Sequence, residues 1–216
     1  FSQKKNLNVS NIQSRSIELS LLLSIPASFG LILASKEIVN VLFGYGSFTY
    51  EDVDMTASAL KYFGFGIPAF ALIKILSNFF FARNNTKTPF YISSLIVLLN
   101  VIISIYFFKE VGFIIIPIAT SISTWIGVIC YIYILNSKNF LLIQKYLYSS
   151  IIKVVASTVL MSFLLMVLLN NYSIYLDYGN KFKAFYLLII VGFVTSIYLI
   201  SCYLTGVLKT KNFKIN

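Results

Sequence analysis

The chain is 216 residues long, 58% hydrophobic and only 11% charged, with a mean hydropathy of +0.86; soluble domains run about 45–50% apolar and about 25% charged, so a water-soluble globule is excluded. The net charge of +10 would raise nucleic acid in a soluble protein. Here the basic residues sit singly between apolar runs, with no stripe of interleaved aromatics, so they read as determinants of membrane orientation and not as phosphate contacts. Histidine is absent, which removes the commonest general base and the commonest metal ligand. Cys130 and Cys202 lie far apart in apolar runs and read as small buried hydrophobes. No catalytic residue, metal site or cofactor motif is read in the chain, and nothing in it names a coupling ion.

Residues 1–16 form a polar stretch beginning at Phe1, without the apolar core or cleavage site of a signal peptide; it reads as a cytoplasmic segment within a piece of a longer protein. Six apolar runs then approach the ~20 residues that cross a hydrocarbon core: 19–35, 55–81, 90–108, 113–135, 151–169 and 185–208. The expected fold is therefore an all-α integral membrane protein with six transmembrane helices. The first run contains Pro26 and can continue through Lys36 and Glu37 into an interfacial segment, 38–43. Thr49-x-x-Asp52 has the form of a capping box opening the second run, with Glu51, Asp52 and Asp54 at the positive end of the helix dipole. The other reading of those acids is a cation site.

Within the second run, Gly64-Phe65-Gly66-Ile67-Pro68 disturbs the helix in mid-membrane. Gly64, Gly66 and Pro68, with Pro26, are candidate hinges, the alternative being static kinks. Lys74 is the sharpest single residue, because an ammonium near the middle of a span costs roughly 2.5–3.5 kcal/mol on insertion scales. It either snorkels toward the membrane surface or lines a path for an anionic substrate. Asn84-Asn85 suits a turn, and Thr88-Pro89 reads as an N-cap with proline opening the third span.

Polar residues recur at helical spacing on three consecutive spans: Ala71, Lys74, Ser77 and Asn78; then Ser93, Asn100 and Ser104; then Thr120, Ser123, Thr124 and Gly127. Such stripes serve either helix packing or a water-filled cavity. Lys74, Asn78, Ser93, Asn100, Thr120 and Thr124 are the cavity candidates. The last two spans are more uniformly apolar and suit contact with lipid tails. Six spans place Lys4, Lys5, Arg15, Arg83, Lys87, Lys138, Lys145, Lys153, Lys209, Lys211 and Lys214 on one side against Glu18 alone. The other side has Lys36, Lys61, Lys109, Lys181 and Lys183 against six acids. The positive-inside rule puts both termini in the cytoplasm.

The segment Leu42-Phe43-Gly44-Tyr45-Gly46-Ser47-Phe48-Thr49, followed by Asp52, Thr56, Ala59-Leu60, Tyr62, Gly66 and Lys74, and the loop Arg83, Asn85, Thr86, Lys87, Thr88, Pro89, resemble the MurJ/MviN lipid II flippases within the multidrug/oligosaccharidyl-lipid/polysaccharide exporter superfamily. The likeness covers nearly the whole chain and is strongest over 41–125. It implies a multi-pass transporter of the bacterial inner membrane that moves undecaprenyl-linked peptidoglycan precursor from the cytoplasmic to the periplasmic leaflet by alternating access. Residues 17–148 would be the last four helices of the second lobe of a fourteen-helix flippase, 149–208 the two C-terminal helices that form a lipid-tail groove, and 209–216 a cytoplasmic basic tail. The missing N-terminal lobe would be the chain's partner. The basic residues best known as essential in the family sit on earlier helices, so none carries over. Rival readings are an exporter of another polysaccharide-lipid or a drug, a membrane enzyme, which would need carboxylates or histidine at a membrane face, and a noncatalytic membrane scaffold.

Overall fold

A computed structural model describes residues 2–177 and 179–208; the tail 209–216 and the side chains of Lys4 and Lys5 lie outside the described residues. The elements are α1 (Ser2–Leu33), α2 (Ser35–Phe43), α3 (Tyr50–Phe81), α4 (Lys87–Val111), α5 (Ile115–Ser137), α6 (Tyr146–Asn171) and α7 (Lys183–Leu204), with 3₁₀ turns at Gly112–Ile114 and Ser173–Leu176. Five helical stretches are long and apolar enough to cross a membrane: Asn8–Leu33, Tyr50–Phe81, Lys87–Ser137, Tyr146–Asn171 and Lys183–Leu204. The third runs for 51 residues and doubles back at Gly112, whose φ of +73° is the left-handed conformation that glycine adopts without strain. Ile96 meets Gly127 and Pro89 meets Tyr131, so α4 and α5 are antiparallel and the six expected crossings are present.

Helix neighbours run in the spatial order α7, α6, α1, α3, α5, α4, an open row in which α4 packs chiefly on α5. Close approach within the row uses residues without bulk, as membrane helices do when no hydrophobic effect drives them together. A Cβ on Gly64 would stand 2.8 Å from Ile32 Cγ1 of α1, and one on Gly66 would stand 2.9 Å from Ser121 Oγ of α5. Larger side chains fill the gaps: Ile17, Leu21, Leu76, Phe80, Tyr131 and Leu147 make one core around α1, α3 and α5. Met161, Leu165, Leu187, Ile190 and Tyr198 make a second between α6 and α7.

Several boundaries differ from the sequence expectation. The polar stretch 2–16 is not a separate segment but the first half of α1. Ser10, Gln13 and Ser14 are buried on the same stripe as Ile17 and Leu21, spaced as one helix face, and their polar atoms are taken up by the 138–145 loop. Gln13 Nε2 donates to Phe140 O at 2.9 Å, while its Oε1 accepts from Leu142 N at 2.8 Å. Ser14 Oγ accepts from Gln144 N at 2.8 Å. The capping box at Thr49 and Asp52 is formed as read, whereas Thr88 is not an N-cap: α4 begins ahead of it at Lys87. Asn85 Oδ1 reaches forward to the Thr88 amide at 3.1 Å, and Asn85 Nδ2 occupies the Thr88 hydroxyl at 3.0 Å. The interfacial segment expected at 38–43 is the short helix α2.

Gly66→Val drives a branched side chain into the backbone and hydroxyl of Ser121 and is expected to destabilise the chain by about 1–3 kcal/mol. Thermal melts in detergent read this as a lowered Tm. Gly30→Ala, where a Cβ meets nothing within 4 Å, leaves the Tm undiminished.

Candidate functional site

The two membrane surfaces of the bundle differ in charge and in how their polar groups are held. At one end stand Arg15, Arg83, Lys138 and Lys145. Arg83 caps α3 by donating from Nη1 to Phe79 O at 2.6 Å, and it reaches the 138–145 loop from Nη2 to Phe140 O at 3.1 Å. Its guanidinium lies 4.5 Å over the Phe140 ring. Arg15 pairs with the buried carboxylate of Glu18 at 2.6 Å, which a lone charge in that position would require.

At the opposite end Lys183, counted in the sequence as an ordinary loop charge, is fully buried at 0% exposure. Its Nζ donates to Gly44 O at 2.8 Å and Asn40 Oδ1 at 3.2 Å, and it lies 4.0 Å over the Tyr45 ring. Asn40 Nδ2 in turn donates to Leu176 O at 2.8 Å. The Gly44-Tyr45-Gly46 segment thus has a physical reason. A Cβ on Gly44 would collide with the carbonyl of Asn40, and Gly46 has φ of +64°. The signal available in the sequence was the coincidence of an asparagine, a glycine carbonyl and an aromatic, all remote from the lysine they serve.

Glu37 is half-buried beside this cluster, and its Oε2 has no hydrogen-bond partner among the described residues. Burial pushes its carboxyl above the usual carboxylate range, against the opposing pull of its own backbone amide and of Lys36. Lys36 is engaged with Asp54 at 2.7 Å.

The six cavity candidates fall into two groups. Lys74 and Asn78 lie one turn apart on the open face of α3, beside exposed Phe70 and Phe81, and neither side chain makes a hydrogen bond or ion pair with a described residue. Asn100, Thr120 and Thr124 instead lie in the α4–α5 seam and satisfy one another. Asn100 Nδ2 donates to Thr120 Oγ1 at 2.7 Å, Thr120 Oγ1 donates to Ile116 O at 2.7 Å, and Thr124 Oγ1 donates to Thr120 O at 2.6 Å. Ser93 is exposed on α4, lining a shallow groove with Phe90, Ser94, Val97, Leu98 and Val101.

The hinge candidates Pro26 and Pro68 sit inside α1 and α3, both continuous helices of 32 residues. Of the loop motif, Arg83 and Asn85 make the contacts given above. Thr86 precedes α4, Lys87 is its exposed first residue, and Pro89 is buried in its first turn. There the missing amide would have had no intrahelical acceptor.

Alternating apolar crossings, polar groups turned inward and charged ends define a multi-pass, all-helical membrane protein. Its particular lineage follows from comparison: the model of the family "Lipid II flippase MurJ" matches residues 1–192, and the chain belongs to that family. It is 38% identical over 119 residues to the probable lipid II flippase MurJ of Rickettsia prowazekii (strain Madrid E), covering 55% of this chain and 24% of the relative. It is 29% identical over 205 residues to that of Borreliella burgdorferi (strain ATCC 35210 / DSM 4680 / CIP 102532 / B31), covering 92% and 38%. A solved structure titled "Lipid II flippase MurJ, inward closed conformation" shares the fold at a TM-score of 0.76 and 24% identity, covering 92% of this chain and 39% of that one. The chain therefore spans only about a quarter to two fifths of the length of these relatives.

Lys183→Met removes a charged donor from Gly44 O and Asn40 Oδ1 and is expected to destabilise the chain by about 1.5–3 kcal/mol, the usual worth of hydrogen bonds to a charged group; denaturation in detergent checks it. Glu37 makes stability pH-dependent. A carboxyl whose pKa is raised by folding binds its proton more tightly in the folded state, so its contribution is fully present below pH 4.5, the unfolded value, and is lost as pH rises through the higher folded pKa. Glu37→Gln is expected to raise the Tm at pH 7 and to leave it nearly unchanged at pH 4.

Proposed function

We propose that the chain is part of a transporter, not an enzyme, that moves lipid-linked peptidoglycan precursor, lipid II, from the cytoplasmic to the periplasmic leaflet of the bacterial inner membrane by alternating access. Membership of the family supports the substrate class, and the observation that carries the mechanism is Lys74. It is an exposed ammonium within a 32-residue membrane helix, with no side-chain partner among the described residues. A cation at that depth is costly, and an anionic group offsets the cost.

In this reading Lys74 and Asn78 meet the pyrophosphate and sugar of the precursor across the face that the rest of the protein completes. Asn100, Thr120 and Thr124 keep α4 and α5 in register, and Ser93 borders the same space. Residues 17–148 work as the lobe, and α6 with α7, within 149–208, offer apolar surface to the lipid tail. Both termini face the cytoplasm, because the end holding Arg15, Arg83, Lys138 and Lys145 is the more basic. The same fold would serve an exporter of another lipid-linked glycan, and the family match favours lipid II over it.

The test uses the full-length protein that carries this chain, produced in cells depleted of their own flippase. Lys74→Ala is expected to slow restoration of growth and rod shape and to leave lipid II in the cytoplasmic leaflet, while Lys74→Arg retains most of the function. Unchanged growth, shape and leaflet distribution for Lys74→Ala would return the lysine to a snorkelling role.

A further inference from the structure

The chain has four prolines. Pro89 and Pro117 fall in the first turns of α4 and α5, where an amide has no intrahelical acceptor to lose. Pro26 and Pro68 are interior. A helix pairs each amide with the carbonyl four residues earlier, so these two strip the partner from the carbonyls of Leu22 and Gly64.

Both carbonyls are buried at membrane depth, beyond the reach of bulk water, and both are met by a hydroxyl from another helix. Tyr198 of α7 donates to Leu22 O at 2.7 Å, and Ser28 of α1 donates to Gly64 O at 2.7 Å. On the same stretch of α3, α5 adds Ser121 Oγ to Tyr62 O at 2.7 Å and Trp125 Nε1 to Phe65 O at 2.9 Å. The repetition of one geometry at both interior prolines, and at neither terminal one, is hard to obtain from packing alone.

We infer that the Tyr198 and Ser28 hydroxyls take the place of the two amide hydrogens that proline removes, turning Pro26 and Pro68 into fixed joints between helices. One joint fastens α7 to α1 at Leu22; the other fastens α1 to α3 at Gly64. Ser28 and Tyr198 are positioning residues: they act through the backbone carbonyls that they hold. A transport cycle would then turn α7, α1, α3 and α5 as a unit and would not bend α1 or α3 at their prolines. Only this last consequence rests on the transporter reading.

The experiment is a double-mutant cycle on the chain in detergent or nanodiscs, with no transport assay, so its outcome is independent of the function proposed above. Tyr198→Phe keeps the ring but orphans Leu22 O and also takes the hydroxyl away from the side chains of Thr158 and Cys202, a loss that is the same with and without the proline and so cancels in the cycle. Pro26→Ala returns an amide to that carbonyl. Tyr198→Phe is expected to lower the Tm by several degrees in the parent and by less than half as much when Pro26→Ala is present. The pair Ser28→Ala and Pro68→Ala is expected to behave alike. An equal loss with and without the proline would overturn the inference, because a purely packing role for Tyr198 is blind to residue 26. Should Pro26→Ala not accumulate, an isotope-labelled Leu22 carbonyl decides the matter by infrared spectroscopy: its stretching frequency rises in Tyr198→Phe if the bond exists, and an unchanged frequency overturns the joint.

Discussion

Hydrocarbon offers no water to a backbone carbonyl, so a carbonyl that loses its helical amide inside the membrane has to find another partner in the protein. Serine hydroxyls are less demanding: those of Ser24, Ser104, Ser123 and Ser162 are buried with no hydrogen-bond partner among the described residues. Three hydroxyls on intact stretches fold back on their own helix: Thr158 to Val154 O at 2.8 Å, Thr195 to Val191 O at 2.6 Å and Ser196 to Gly192 O at 2.8 Å. Such bonds carry no information about neighbours. Where proline opens the helix, the partner must come from outside, and the hydroxyl then fixes which helix lies alongside and at what height.

Polar groups also fasten the chain at its two membrane surfaces, with different instruments. One end uses neutral amides: Gln13 holds the backbone of residues 140 and 142 from both sides of its own amide, fastening the start of α1 to the connection that leads into the last two helices. The other end uses a cation, with Lys183 gathering the carbonyl that terminates α2 and the side chain of Asn40. Between these fastenings α6 and α7 are tied to the rest of the chain at both membrane surfaces, and Tyr198 adds a third tie in the interior. A pair of helices held at three points is fixed to the helices beside it.

Lys74 stands outside this economy of paired groups. Its side chain and that of Asn78 lie on the open face of α3, beside exposed aromatics. Asn100, Thr120 and Thr124 of the α4–α5 seam, by contrast, are already engaged with one another.

Hydrocarbon thickness sets the length of an apolar run, so the sequence by itself determined the number of crossings, their alternation, the capping box at Thr49 and the family. It could not assign depth or direction to a polar side chain, because a helical stripe of Ser, Thr and Asn looks the same whether it faces a cavity or a neighbour. Lys74 and Lys183 show the limit. By sequence Lys74 is the anomalous charge and Lys183 an ordinary loop residue; the fold leaves Lys74 open and encloses Lys183 completely. The enclosing atoms belong to Asn40, Gly44 and Tyr45, more than a hundred residues away along the chain. Burial is a property of what is brought alongside, and only tertiary structure brings it.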